Sequence, residues 1–160
     1  MKSIYAVIIV LLVANIVATV WFGVTSQPIT STQNKVENTL PSHMTKNVRN
    51  KIYDQFVSQY NSRDYEAMYN LFSPSAKAQI DKKETFSTFR QLVDYFDSIV
   101  EGGYSHAEYL GTQGDLKQFK LFYSVKFSEN SKFGTSGSLS ITLAIRNDEY
   151  EVWGFNLRST

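Results

Sequence analysis

From Phe119 onward, apolar residues recur at every second position. Phe119, Leu121, Tyr123, Val125 and Phe127 alternate with Lys120, Phe122, Ser124 and Lys126. Leu139, Ile141, Leu143 and Ile145 alternate in the same way with Ser138, Ser140, Thr142 and Ala144. A period of two sends successive side chains to opposite faces of an extended chain, so each stretch predicts a strand with one buried face. Ser128 to Lys132 reads as the hairpin loop between them, and Asn147-Asp148 as a tight turn into a last strand, Tyr150 to Leu157. An earlier strand is predicted over 104–112, with a turn from Gly111 to Asp115. Connections this short hold no crossover, so the expected sheet is an antiparallel meander. Gly134-Thr135-Ser136-Gly137 reads as a strand entrance or bulge and lacks the spacing of a phosphate-binding loop.

Before Gly103 the period is helical. Val48, Ile52, Phe56 and Tyr60 recur every four residues, with Tyr53 and Val57 widening the stripe. Asn61 to Arg63 breaks this helix, and Asp64 reads as the N-cap of a short second one, Tyr65 to Phe72. Ser73-Pro74 opens a further short turn, with Pro at the favoured first position. Asp81 and Glu84 are spaced as in a capping box. They open a helix carrying Phe86, Phe89, Leu92, Val93, Phe96, Ile99 and Val100, predicted to end at Gly102-Gly103.

The N-terminal part follows a different rule. No charge occurs between Lys2 and Lys35, and Ile4 to Val24 is almost wholly apolar. About 20 apolar residues span the hydrocarbon core of a bilayer. Lys2 and the α-amino group on one side, with no cation in the flank 25–34, predict an inside N-terminus and an outside remainder. Trp21 and Phe22 suit the interfacial aromatic belt. The expectation is a single-pass anchor or signal segment at 1–25 and a polar tether at 26–43. An α+β domain at 44–160 would then lie in the periplasm or outside the cell. Cleavage near Ser26, releasing a secreted domain, is the alternative.

Composition narrows the partners. Sixteen Lys and Arg against fifteen Asp and Glu give a net charge of +1, which argues against a nucleic-acid partner. The absence of Cys excludes disulfides, a thiolate nucleophile and a Cys-based zinc site. Aromatic residues are 14% of the chain, enough to make a packed core the expectation for the exported part.

Helices followed by a meander, with Asn61-Ser-Arg-Asp-Tyr-Glu-Ala-Met-Tyr-Asn-Leu-Phe-Ser-Pro74 after the first helix, resemble the NTF2-like, cystatin-like cone folds over about residues 44–158. The resemblance implies N-terminal helices packed on a curved antiparallel sheet, here preceded by one transmembrane helix. It does not imply one function. Some members are ketosteroid-isomerase-like or polyketide-cyclase-like enzymes, many are binding or assembly modules, and some are tethered to membranes.

A catalytic cone needs a carboxylate or His in an apolar pocket, where burial moves its pKa toward neutrality. His106 and Glu108 are the candidates, two apart and therefore on one face of a strand. The plainer reading places that face in solvent, with Ala107 and Tyr109 turned to the core. Tyr60, Tyr69, Phe96 and Tyr123 are the candidate pocket lining, although aromatic residues at core spacing more often fill a core; Tyr95, Tyr104 and Tyr109 belong to the same wider set. Asp94 and Asp97 lie off the apolar stripe of their helix and are expected to be exposed charges. His43 is expected to be solvated in the tether. No metal site and no cofactor is expected.

The function expected from these residues is a non-catalytic, membrane-anchored binding or assembly module. It would contact a protein partner, a second copy or a small apolar ligand through the sheet. A pocket enzyme of the isomerase, dehydratase or hydrolase kind using Glu108 or His106 is the alternative, and an envelope immunity or inhibitor protein a further one.

Overall fold

The computed structural model describes residues 39–160, which belong to a compact unit, Asn38–Thr160. The expected anchor at 4–24 and most of the expected tether lie outside the described residues. Among the described residues no helix is long and apolar enough to cross a membrane.

Among the described residues four helices precede four strands: α1 (Lys46–Asn61), α2 (Tyr65–Asn70), α3 (Pro74–Lys77), α4 (Lys82–Phe96), then β1 (Ile99–Gln113), β2 (Leu116–Phe127), β3 (Ser136–Arg146) and β4 (Glu149–Ser159). The sheet is an antiparallel meander in the order β1-β2-β3-β4. The helices cover one face, giving an α+β arrangement.

Each helix starts where a side-chain oxygen meets a free backbone N–H. Thr45 Oγ1 accepts from Val48 N at 3.4 Å, Asp64 Oδ1 from Ala67 N at 2.9 Å, Ser73 Oγ from Ala76 N at 3.1 Å and Asp81 Oδ1 from Glu84 N at 2.8 Å. The alternation in β2 and β3 places Phe119, Leu121, Tyr123, Val125 and Phe127 beside Leu139, Ile141, Leu143 and Ile145, all buried beneath the helices. Ile52, Phe56 and Tyr60 of α1 and Phe89, Val93 and Phe96 of α4 close the core from above. A chain of rings, Phe56–Phe155 (4.7 Å), Phe155–Phe72 (4.9 Å) and Phe72–Phe89 (6.2 Å), joins α1, β4, the α2–α3 connection and α4. Contacts of this kind add about 0.5–1.5 kcal/mol each beyond simple burial.

Two boundaries differ from the sequence reading. The helix predicted to run to Gly102-Gly103 stops at Phe96, where Asp97 takes φ 56° and its N–H closes on the Val93 carbonyl. Ile99 and Val100 therefore open β1, and the two glycines lie within that strand. Gly111 sits at a register shift of β1 at φ 142° rather than in a turn, so the strand runs on to Gln113. Asn147 and Asp148 both have positive φ, as a two-residue hairpin turn requires.

The segment before α1 also packs. Met44 is fully buried. His43, expected in solvent, is only 24% exposed, and its Nδ1 lies 3.0 Å from Asp148 Oδ1 in the β3–β4 turn.

Gly137 has no room for a side chain: an added Cβ would overlap the Phe127 ring and the Arg158 carbonyl oxygen. Gly103 has open space around it. Gly137→Ala should cost about 1–3 kcal/mol as overpacking, whereas Gly103→Ala should stay within about 0.5 kcal/mol. Urea melts of the two variants check this, and equal midpoints would mean that the strand yields freely at Gly137.

Candidate functional site

The space between the helices and the sheet is occupied. Tyr60, Tyr123, Phe56 and Phe119 are fully or almost fully buried and stand where a ligand pocket under the sheet would lie. The Tyr60 hydroxyl donates to the Leu92 carbonyl at 3.0 Å, and the Tyr123 hydroxyl to the Arg49 carbonyl at 2.9 Å. Burial pushes both phenols well above their ordinary pKa, with Asp97 adding to the effect at Tyr60 and Tyr104 at Tyr123. Both hydroxyls thus stay protonated as donors within the core. Phe96 stacks on Phe127 at 4.6 Å. Tyr69 is half-buried, with Phe72 and Phe86 at its edges and the Lys77 and Lys82 ammonium groups each 5.4 Å from its ring centre. The four tyrosine and phenylalanine candidates therefore stand as packing residues, and the structure does not gather them round an open cavity.

His106 and Glu108 are together, but on the other side of the sheet. Register pairs His106 with Phe122 and Glu108 with Lys120, while Ala107 and Tyr109 pair with the buried Leu121 and Phe119. Both side chains are 56% exposed, with Nε2 and Oε1 3.7 Å apart. The imidazole lies flat on the Phe122 ring, with centroids at 4.5 Å and planes 4° apart. Nδ1 is 3.1 Å from Ser105 Oγ. Glu101 and Lys126 form a further cross-strand pair at 2.6 Å. Carboxylates and cations facing each other across β1 and β2 fit the favoured cross-strand pairing on a solvated face.

This outer face has a consistent composition. The row through His106 continues across the sheet as Phe122, Ser140 and Asn156, and the next as Glu108, Lys120, Thr142 and Gly154. These two rows are thus polar or small apart from the Phe122 ring on which His106 stacks.

Concavities lined by described residues lie at the surface. One, about 340 Å³, has an apolar floor of Ile52, Leu71, Val152 and Phe155, with Gln55, Asn70 and Glu151 at its rim. Another, about 410 Å³, lies between α1 and the start of β1. No group of three or more His, Cys, Asp or Glu side chains among the described residues is placed to hold a metal ion.

Asp97 departs from its expected role. Its side chain is 25% exposed and gathers Ser128 Oγ (2.6 Å), Ser98 Oγ (3.4 Å) and Arg63 Nη2 (3.1 Å). The Ser128 hydroxyl, more than any other group, holds its carboxyl below the ordinary value of 3.8, with Asn130, Ser98 and Arg63 acting in the same direction. Its helix pattern marked it as off the core stripe, which is correct for α4 itself. The 128–133 loop then folds against the helix end, with Lys132 N donating to the Tyr95 carbonyl at 2.8 Å. Asp94, by contrast, is exposed as expected.

No family model matches the chain, and no curated protein matches it. Among solved structures, Bd1075 of Bdellovibrio bacteriovorus shares 13% identity at a TM-score of 0.42, over 71% of this chain and 40% of that one. The chain thus spans less than half the length of that protein. The structure of a putative dehydratase from the NTF2-like family of Streptomyces avermitilis shares 11% identity at a TM-score of 0.43, over 72% of this chain and 99% of that one.

A lowered carboxyl pKa stabilises the fold above the group's ordinary value and ceases to do so as pH falls through the folded value. Asp97→Asn should therefore melt below the wild type at pH 7, and the gap should close as pH drops below about 4. Thermal melts at pH 7, 5, 4 and 3 measure this; a gap that does not change with pH would mean that the carboxylate charge contributes nothing.

Proposed function

We propose that the domain is a non-catalytic binding module of NTF2-like type, tethered to the membrane through residues 4–24 and facing the periplasm or the cell exterior. Its contact surface is the outer face of the sheet around Phe122, and its partner a protein, a second copy of this chain included. The observation that carries this reading is the filled interior: Tyr60, Tyr123, Phe56 and Phe119 occupy the volume in which a pocket enzyme would hold its substrate. General acid–base work in an apolar site needs a group withdrawn from water. His106 and Glu108 are more than half exposed. Their placement suits recognition, with a ring, a cation and carboxylates in alternating rows on a firm sheet. Serine, threonine and glycine positions between them leave room for a partner's side chains.

A photoreactive residue at Phe122 or His106 of the full-length chain should give a discrete cross-linked product in its native cells. One at Ser87, exposed on the far side of α4, should not. A product of twice the chain mass identifies a second copy, and any other discrete mass a different protein. Equal labelling at Ser87 and Phe122 would defeat the outer-face assignment. A catalytic turnover abolished by Glu108→Gln or His106→Ala in a protein that melts normally would defeat the non-catalytic one.

A further inference from the structure

The 410 Å³ groove between α1 and β1 has features that packing does not require. One side is the α1 face carrying Lys46, Arg49, Asn50, Tyr53 and Asp54, and the other is Gly102, Gly103 and Tyr104 of β1. A side chain at Gly102 would overlap the Tyr53 hydroxyl and the Ser124 carbonyl oxygen, so glycine there lets the tyrosine lie against the strand. The open part of the groove begins beside this contact at Gly103, where an added Cβ would meet nothing.

Arg49 is held in place. Its guanidinium lies 4.2 Å from the Tyr104 ring centre, and Nη1 donates to the Met44 carbonyl at 3.0 Å. The Nε donor is buried and has no acceptor. A buried donor of a charged group left unpaired is costly, so such atoms call for an explanation. Among the described residues Lys46, Asn50 and Asp54 make no hydrogen bond or ion pair either, although they share one groove with Arg49. Two cations thus stand toward the start of α1 and one carboxylate further along it.

The spacing sets the ligand length. Arg49 and Asp54 are five residues apart, roughly 7.5 Å along a helix axis at 1.5 Å per residue. Two extended residues of peptide reach at most about 7 Å. We propose that the α1–β1 groove binds a small zwitterion of dipeptide length, with its carboxylate on Lys46 and Arg49 and its ammonium group on Asp54. The guanidinium, fixed on Tyr104 and on the Met44 carbonyl, supplies positive charge at this end of the groove beside the exposed Lys46. Asn50 lies between the charged ends to pair with the central amide. Gly103 and the ring edges of Tyr53 and Tyr104 leave space for a side chain.

Calorimetric titration of the full-length chain with glycyl-phenylalanine tests this. The free dipeptide should bind, while its C-terminal amide and its N-acetyl form should each bind about tenfold more weakly, the loss expected for one charge-assisted contact. Arg49 also anchors Met44 and packs on Tyr104, so its loss could disturb the fold. Lys46→Gln and Asp54→Asn lie on the exposed surface and serve as the decisive variants. Lys46→Gln should weaken the free dipeptide and leave the amide unaffected, and Asp54→Asn should do the same with respect to the acetylated form. Absence of binding at millimolar dipeptide, or equal affinity for the free and blocked forms, overturns the proposal. Because the groove is separate from the outer sheet face, Phe122→Ala should leave dipeptide affinity unchanged. Failure here is thus distinguishable from failure of the outer-face reading.

Discussion

Everything in this domain is referred to the seat of α1 on the inner sheet face. Apolar burial presses the helix down but is non-directional. Direction comes from three polar ties to α1: Tyr123 on β2 donates to the Arg49 carbonyl, Tyr60 near the helix end donates to the Leu92 carbonyl of α4, and Asn61 pairs with Ile99. The last is reciprocal, with Asn61 Nδ2 donating to the Ile99 carbonyl at 2.8 Å and Oδ1 accepting from its N–H at 2.9 Å. One amide side chain thus satisfies both backbone groups at the first residue of an edge strand, where they would otherwise be open to pairing. Both carbonyls lie within helices and keep the N–H four residues on as a partner, so each hydroxyl adds a second, directional bond that fixes where the helix sits.

The same seating explains the shape of β1. This strand has register shifts between Ile99 and Glu101, Tyr104 and His106, and Tyr109 and Gly111, so Val100, Ser105 and Leu110 each lack a direct partner at five-residue intervals. A bulge bends its strand and raises the local twist. Three in one strand curl the sheet around α1, and they also break the regular edge that a stray strand would need. Val100 and Leu110 are two of the few large apolar side chains left exposed, which follows from their position as the extra residues. β4, the other edge, has one such shift, between the partners of Thr142 and Leu143, and Trp153 falls there. It turns its Nε1 to Glu151 Oε2 at 3.1 Å.

Period, caps and short connections made most of this legible from residues alone. The alternation at 119–127 and 138–145 placed both central strands and their buried faces, and Asp64, Ser73 and Asp81 marked helix starts that the hydrogen bonds bear out. The failures share a physical cause. Ile99 and Val100 continue a helical spacing by coincidence, and only the Asp97 N–H closing on Val93, with the 128–133 loop docked behind it, stops the helix sooner. That loop is thirty residues away in sequence, so no local pattern carries it. His43 reads as polar tether for the same reason, since its partner lies in the β3–β4 turn. The site was less legible than the fold. Alternation correctly put His106 and Glu108 on one face, but which face meets the helices depends on bulges that a two-residue period cannot show.

A filled interior changes what the scaffold can do. An empty one places chemistry inside, where a low dielectric gives a single carboxylate a strongly perturbed pKa. Here that volume holds two phenols whose burial keeps them protonated, and both hydroxyls are committed to backbone carbonyls. Opening a pocket would mean removing Tyr60 or Tyr123, and with either the tie that positions α1. Stability and an internal active site therefore compete for the same side chains. The surfaces that remain free are the outer sheet face and the grooves beside α1, where groups such as His106, Glu108, Lys46 and Asp54 can meet a partner without disturbing the core.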